Sequence, residues 1–326
     1  CSTVSNITSK FSNLLWSGQL TVPSSIAPDG FSFQRVSAAE VKLVISSLPN
    51  TMSTGYDGIT TRMLKISATA IADILAHIFN DSLLTGVFPK EWKRAIAVPI
   101  HKKGDIFDIT NYRPISLLPI FSKILDKIAN QQVSEYLETN AILSDAQHGF
   151  RRKRSCETAL LRLTKLLFNA RNNNKCSNLV TIDLSKAFDC VNHQLLLKAL
   201  QKCRFDNSSL AWFSSYITGR SQQVKYANAV SDVITLTSGV AQGSNLGPTL
   251  WNIFINNLLS ILPYESVVAY ADDITLVTHG GSAIECAHYM QVILNDIATW
   301  CVAHGLTINF NKCECLFFSN KIKKNS

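Results

Sequence analysis

At 326 residues, 46% hydrophobic and only 17% charged, the chain is no disordered or low-complexity protein, and it can hold one large domain or two moderate ones. Lysine and arginine outnumber aspartate and glutamate by 31 to 23, a net charge of +8, which suits a basic surface on nucleic acid but suits any basic soluble protein as well. Nine cysteines show neither a C-x-x-C pair nor a Cys/His finger spacing, and they read as reduced core or surface thiols in an intracellular protein.

Residues 1–30 are rich in Ser, Thr and Pro, and a flexible lead-in is assigned to 1–37. A helical extension follows over 38–92. Its first helix, 38–48, is capped by Ser37, and two further helices are expected at 61–67 and 69–85, stopping at Gly86 with Pro89 beyond. A strand over 93–100 leads into the turn His101-Lys102-Lys103-Gly104-Asp105. Leu118, Phe121, Ile124, Leu125, Ile128, Val133, Tyr136 and Leu137 then recur at helical spacing and predict a long amphipathic helix. The basic run Arg151-Arg152-Lys153-Arg154 precedes a helix over 156–170. Paired strands are expected at 222–227 and 233–236. A glycine-bracketed loop, 239–244, opens into a helix with Pro248 in its first turn. A helix near 283–304 ends at Gly305, the last strand spans about 313–318, and 319–326 is a basic tail. Helices and strands mix without strict alternation, which predicts an α+β fold. No apolar stretch approaches the roughly 20 residues of a membrane span. The first residue is Cys rather than Met, so the chain is expected to be a fragment of a longer protein.

Two adjacent carboxylates stand where strand chemistry disfavours them. Val267-Val268-Ala269 and Ile274-Thr275-Leu276-Val277 read as the arms of a hairpin, with Asp272-Asp273 as its two-residue break. Asn-Gly or Asp-Gly would serve such a turn better, and a local conflict of this kind marks a functional site. A bare Asp-Asp is more simply a solvated acidic turn; a third carboxylate in a matching context changes that reading. Leu179-Val180-Thr181-Ile182 is a β-branched run that delivers Asp183 at its end, before a turn into a helix. If that strand lies beside the hairpin, Asp183, Asp272 and Asp273 form one cluster. Such a cluster repels itself unless divalent cations neutralise it, so it predicts bound Mg²⁺. Two such ions suit an in-line phosphoryl displacement.

Seven blocks in unbroken order, over about 38–318, resemble the reverse transcriptase domain of non-LTR (LINE-type) retrotransposons. They are STGYDGIT at 53–60, NYRPISLLPIFSKILDKI at 111–128, QHGFRRKRSCETAL at 147–160, TIDLSKAFDCVNH at 181–193, SGVAQGSNLGPTLWNIFINNL at 238–258, AYADDITLV at 269–277 and GLTINFNKCECLFF at 305–318. The resemblance implies a right-hand polymerase, with fingers and an antiparallel palm sheet over 93–318 and with the thumb largely missing. It implies RNA-directed DNA polymerisation from dNTPs on an RNA template and a DNA primer. Two Mg²⁺ ions would sit on Asp183, Asp272 and Asp273, with Mn²⁺ as a substitute and Asp272 bridging both. Phe188 matches a steric gate against the ribose 2′-OH, Arg113 an arginine over the triphosphate, and Gln242 with Gly243 the loop beside the incoming nucleotide. Lys103 or Lys102 would assist at the phosphates, and Lys312 matches a general acid for the leaving pyrophosphate. Arg151, Arg152 and Arg154 would face template phosphates, although a charge run is commonly just a solvated face. A nuclear location follows from the resemblance alone, and no membrane association is expected; the oligomeric state is not legible.

The chain departs from the family pattern at Ala241, Asn245, Trp251 and Asn257, where Pro, an aliphatic residue, Phe and Asp are usual. None is a catalytic ligand, yet together they keep open a weakened relic or a domesticated nucleic-acid-binding protein of the same fold. An intron-type reverse transcriptase fits NYRPISL less well. An RNA-dependent RNA polymerase would more often carry Gly-Asp-Asp and a smaller gate.

Overall fold

The structure is a computed structural model and describes residues 30–51 and 54–319. Ser37 and Glu40 close a capping box, each side chain accepting the other's backbone N–H, and start helix α1 (Ala38–Ser47). Helix α2 (Thr61–Thr85) runs without the break expected at 68, because Ala68 is a good helix former whose small side chain is buried among its neighbours. It ends at Gly86, as expected, with the left-handed φ of 72° that a C-terminal glycine supplies. At 25 residues with a mean hydropathy of 1.2 over its most apolar stretch, α2 is long and apolar enough to cross a membrane, contrary to the sequence expectation. Leu64, Leu75, Phe79 and Leu83 nevertheless bury one face of it inside the protein.

The remaining elements are β1 (Arg94–His101), β2 (Tyr112–Leu117), α3 (Ile120–Thr139), α4 (Cys156–Asn172), β3 (Cys176–Ile182), α5 (His193–Lys202), α6 (Asn207–Ile217), β4 (Ser221–Tyr226), β5 (Ala229–Val230), β6 (Ile234–Thr235), α7 (Leu246–Ile261), β7 (Val267–Tyr270), β8 (Asp273–Gly280), α8 (Ala283–His304) and β9 (Glu314–Phe318). One sheet runs β2-β1-β4-β5, with β6 on β4; the other is antiparallel throughout, in the order β7-β8-β3-β9. The fold is α+β, as expected. The strands expected at 222–227 and 233–236 do pair, Gln222 opposite Ile234. Pro114 is tolerated in β2 because that strand is a sheet edge.

The assignment of 1–37 as a flexible lead-in needs correction for its last eight residues. Phe31, Phe33 and Val36 are buried, and the backbone of Phe31 is tied on both sides, its N–H to Arg204 O at 2.8 Å and its C=O from Asp206 N at 2.9 Å. Large apolar side chains at 31, 33 and 36 bring the segment in despite its polar neighbours. Residues 1–29, and the basic tail beyond Ser319, lie outside the described residues. Nor do residues 38–92 form a separate layer, since Val41, Ile45, Leu64 and Phe79 share one hydrophobic core with Ile124, Trp212 and Leu250.

Helix α7 crosses the middle of this core, with Leu250, Trp251, Phe254 and Leu258 fully buried. At its N-terminus Asn245 makes no side-chain cap bond, and Ser244 Oγ accepts from Gly247 N, at 2.9 Å. Asp126 of α3 completes the cap, accepting from the backbone N–H of Asn245 and from Leu246 N at 3.3 Å, as well as from Tyr216 Oη at 2.7 Å. Burial pushes the Asp126 carboxyl above its ordinary range, and these donors draw it back.

Candidate active site

Strand β3 pairs with β8 in a register that ends at Ile182 opposite Ile274. One step further, Asp183 stands level with Asp273, so three β-branched residues in a row have delivered a carboxylate to the sheet rim. On the other arm of the hairpin Tyr270 faces Asp273, which makes Ala271-Asp272 the two-residue loop and Asp273 the first residue of β8. The break therefore falls one residue earlier than the expected Asp272-Asp273. The conflict with turn chemistry is real but falls on Ala271, whose φ of 58° belongs to a position that hairpins usually fill with glycine. Holding a non-glycine residue there costs about 1–3 kcal/mol and requires support from the surroundings.

The other flank of Asp183 is closed by the segment leading into β9. Leu184 bridges Ile308, and Asn309 N donates to Asp183 O at 2.9 Å. A short 3₁₀ turn, Phe310–Lys312, then brings Lys312 Nζ to 3.4 Å from Asp183 Oδ2. Burial raises the Asp272 carboxyl above its usual range and the charge of Asp183 raises it further, while Arg113 and Lys312 oppose the shift. Asp273 is raised by burial and by both neighbouring carboxylates. The cluster thus has the self-repulsion expected of it. No three His, Cys, Asp or Glu side chains among the described residues already stand as a closed ligand set. The donors present are oxygens only, which is the chemistry a hard divalent cation takes.

Phe188 lies on a 3₁₀ turn, Ala187–Cys190, where a strand-to-helix transition was expected; α5 begins only at His193, capped by Asn192. The Phe188 ring is half-buried and stacks on Trp251, with centroids 5.4 Å apart. Gln242 reaches the same turn, donating from Nε2 to Asp189 Oδ1 at 2.8 Å, and its carbonyl accepts from Ser116 N of β2 at 2.9 Å. Gly243 allows this docking, because a Cβ there would lie 2.8 Å from Ser116 O. Arg113 is exposed on β2, and of the fingers cations it is the one whose charge reaches Asp272. Lys103 and Lys102 are exposed on the β1–β2 connection, and the side chain of Lys103 bonds to no described residue.

The basic run needs dividing. Arg151 is not available to a phosphate: its side chain is 4% exposed, and it grips Glu138 with two bonds of 2.8 Å and Ser144 O with a third of 2.8 Å. Arg154 is committed to Asp145. Arg152 alone of the three is exposed and unpaired among the described residues. The reason is that α3 ends at Thr139 and the chain doubles back, carrying two of the arginines to acidic partners. Replacing Arg152 by Gln is accordingly expected to flatten the salt dependence of binding to an RNA–DNA duplex by about one unit of slope. A titration from low to high salt checks this, and an unchanged slope would place Arg152 away from the nucleic acid.

Nothing in the sequence singles out Gln147 beyond its place in an otherwise basic block, and Trp251 stands out there only as a departure from the family pattern. Residues 146–149 lie along β7, with Ala269 N donating to Ala146 O and His148 N to Ala269 O, both at 2.8 Å. This places Gln147 beside Ala271: its Oε1 accepts from Ala271 N at 3.0 Å, and its Nε2 donates to Ala271 O at 3.1 Å. Trp251 Nε1 donates to the same carbonyl at 3.1 Å.

The site thus brings together three carboxylates on a sheet rim, the charge of Arg113 on β2, and the Phe188 ring stacked on the Trp251 that bonds the hairpin. The family model for reverse transcriptase (RNA-dependent DNA polymerase) matches residues 100–324, and the chain belongs to this family. It is 33% identical over 281 residues to a probable RNA-directed DNA polymerase from transposon BS of Drosophila melanogaster, covering 84% of this chain and 31% of that protein. It is 30% identical over 295 residues to the RNA-directed DNA polymerase from mobile element jockey of the same fly, covering 88% and 32%. A polyprotein from the type-1 retrotransposable element R2 of Popillia japonica is 27% identical over 275 residues, covering 79% and 36%. The chain thus spans about a third of the length of the curated relatives it matches. Among solved structures, a telomerase from Candida tropicalis in complex with a telomeric RNA fragment is alike in fold, with a TM-score of 0.50 and 14% identity over 71% of this chain and 42% of that one. The expected right-hand fold, with its antiparallel palm sheet, is the one this chain adopts.

Proposed function

We propose that the chain carries the RNA-directed DNA polymerase activity of a non-LTR retrotransposon, adding dNTPs to a DNA primer on an RNA template. The observation that carries this reading is the register of β3 against β8, which sets Asp183 level with the Asp272-Asp273 pair in a chain of the reverse transcriptase family. Asp183, Asp272 and Asp273 would hold two Mg²⁺ ions, or Mn²⁺ in their place. Bound there, the ions supply Lewis acidity and charge for nucleotidyl transfer. In that transfer the primer 3′-oxygen forms a bond to the α-phosphorus, the bond to the β-phosphate oxygen breaks, and pyrophosphate departs. Arg113 would bind the triphosphate, its guanidinium fork matching phosphate oxygens. Lys312, beside Asp183, would give a proton to the pyrophosphate. Gln242 and Gly243 hold the floor under the nucleotide by joining β2 to the Phe188 turn.

The relic reading loses support from what the departures do. Asn245 donates from its side chain to Asp126 at 3.0 Å, Asn257 Oδ1 accepts from Trp300 Nε1 at 3.0 Å, and Trp251 bonds Ala271. Drift without selection tends to leave buried polar groups without partners; the buried Trp251 and the half-buried Asn257 have them, and the exposed Asn245 finds one as well. Primer extension on an RNA template with Mg²⁺ and dNTPs tests the proposal. Template-directed extension is expected. Extension that is absent, or equal in a variant lacking the Asp272 carboxylate, would count against it.

Phe188→Ala is expected to lower discrimination against ribonucleotides by about 10- to 100-fold, the range for relieving a clash of a few carbons in a closed pocket. Because the phosphate contacts are untouched, dNTP use should fall less than relative rNTP use rises. Single-nucleotide incorporation with each nucleotide checks this; unchanged selectivity would make Phe188 only a packing partner of Trp251.

A further inference from the structure

We infer that Gln147 and Trp251 are positioning residues for the carboxylate turn, fixing Ala271 so that Asp272 and Asp273 are presented ready for divalent cations; this rests on the polymerase reading of the site. Gln147 is 1% exposed and Trp251 fully buried, so neither is placed to touch a solvent-borne substrate directly. The Gln147 amide uses both of its ends on one residue. Its oxygen takes the Ala271 N–H and its nitrogen gives to the Ala271 carbonyl, at 3.0 and 3.1 Å, which is the paired contact a neighbouring strand would make. The same oxygen also accepts from Gly149 N at 2.8 Å. Trp251 Nε1 takes the second lone pair of the Ala271 carbonyl at 3.1 Å, a bond that a phenylalanine could not make.

Three features make this more than the fastening of a strand. First, the residue clamped is the one with φ of 58°, in a loop only two residues long, and it directly precedes Asp272. Second, the clamp has no slack, for a Cβ on Gly149 would lie 2.2 Å from Ala271 N. Third, the strand register crowds Asp183, Asp272 and Asp273 onto one rim, where like charges repel, so a loose turn would let them splay. Trp251 also lies under Phe188, so one indole ring supports both the metal turn and the residue proposed to select the sugar. Groups that hold metal ligands in place from behind commonly alter metal affinity or activity by ~10- to 100-fold when removed.

The test uses Gln147→Met, which keeps volume and removes all three bonds, and Trp251→Phe, which keeps the ring and removes one. Mn²⁺ binding to the full chain without nucleic acid, followed by the spin-resonance signal of free Mn²⁺, reads the ligands independently of turnover. The expected order of affinity is wild type, then Trp251→Phe weaker by about 2- to 5-fold, then Gln147→Met weaker by ~10-fold or more. In primer extension kcat should fall in the same order with KM for dNTP nearly constant, and raised Mn²⁺ should restore part of it. If both variants bind Mn²⁺ as wild type does, the clamp is structural only and the inference fails while the polymerase reading stands. If Gln147→Met does not fold, Trp251→Phe decides alone, and an unchanged affinity overturns the proposal. If wild type binds no Mn²⁺ and extends no primer, the reading of the site fails along with it.

Discussion

Replacing Asp272 by Asn is expected to abolish nucleotide addition, a fall of about 10³-fold or more, because the ions it would hold contribute several kcal/mol to the transition state and each 1.4 kcal/mol is tenfold in rate. The protein should remain folded. Asn keeps the shape of Asp272 and removes one of the repelling charges. The sign follows from the direction of the shift. Burial, with Asp183 adding to it, holds the Asp272 carboxyl above its unfolded range, so ionisation is harder in the folded state. The carboxylate therefore weakens the fold once the pH exceeds its ordinary range, and the penalty disappears as the pH falls below that range. In chelator at neutral pH the melting temperature of the Asn variant should equal or exceed that of wild type, with the difference vanishing in acid. Measurable extension by Asp272→Asn at millimolar Mg²⁺ would refute the assignment of the carboxylates.

Arg151→Gln is expected to act on stability rather than on nucleic-acid binding. The substitution leaves Glu138 without its partner and takes from the Ser144 carbonyl one of its two donors, the other being Gln147 N. Breaking a pair of this kind costs about 3 kcal/mol, and the melting temperature should fall by about 5 °C. Glu138→Gln should be milder, since a neutral amide can still accept from the guanidinium and Glu138 is the more exposed partner, 25% against 4%. Thermal melts of the two variants check the order. A variant at Arg151 that melts like wild type but binds duplex with a flatter salt slope would return this residue to the template.

Much of the site was legible because strands announce their ends. Three β-branched residues before Asp183, and alternating apolar arms on either side of Asp272-Asp273, carry enough pattern to place all three carboxylates on one rim. The register that joins them is not local, and only the resemblance of the whole chain pointed to it before the structure did. The loop position was missed by one residue because turn chemistry was read from the two aspartates. The unusual backbone sits at Ala271, and its causes, Gln147 and Trp251, lie far away in sequence. Arg151 was misread for the same reason: a run of basic residues looks solvated until the helix before it is seen to end and return a glutamate to it. Helix α5 was expected too early, directly after Asp183, and α6 went unread, although Leu196 and Leu200, then Trp212, Phe213 and Tyr216, fill the core. Their aromatic and β-branched neighbours, and the short 3₁₀ turn before them, blur a helical period that packing makes plain.

The pairing of β7, β8 and β3 also sets how this chain can tolerate change in length. Side chains on a strand alternate between faces, so one residue inserted or lost between Val267 and Asp273 would turn the arm of the hairpin over and carry Asp272 or Asp273 to the wrong side of the sheet. Point substitutions along these strands exchange one packed side chain for another and can be absorbed singly. Copies of such a sequence that accumulate frame-preserving deletions should therefore retain this hairpin at constant length long after the exposed connection between β1 and β2 has varied, and spacing rather than identity would be the lasting mark of a functional copy.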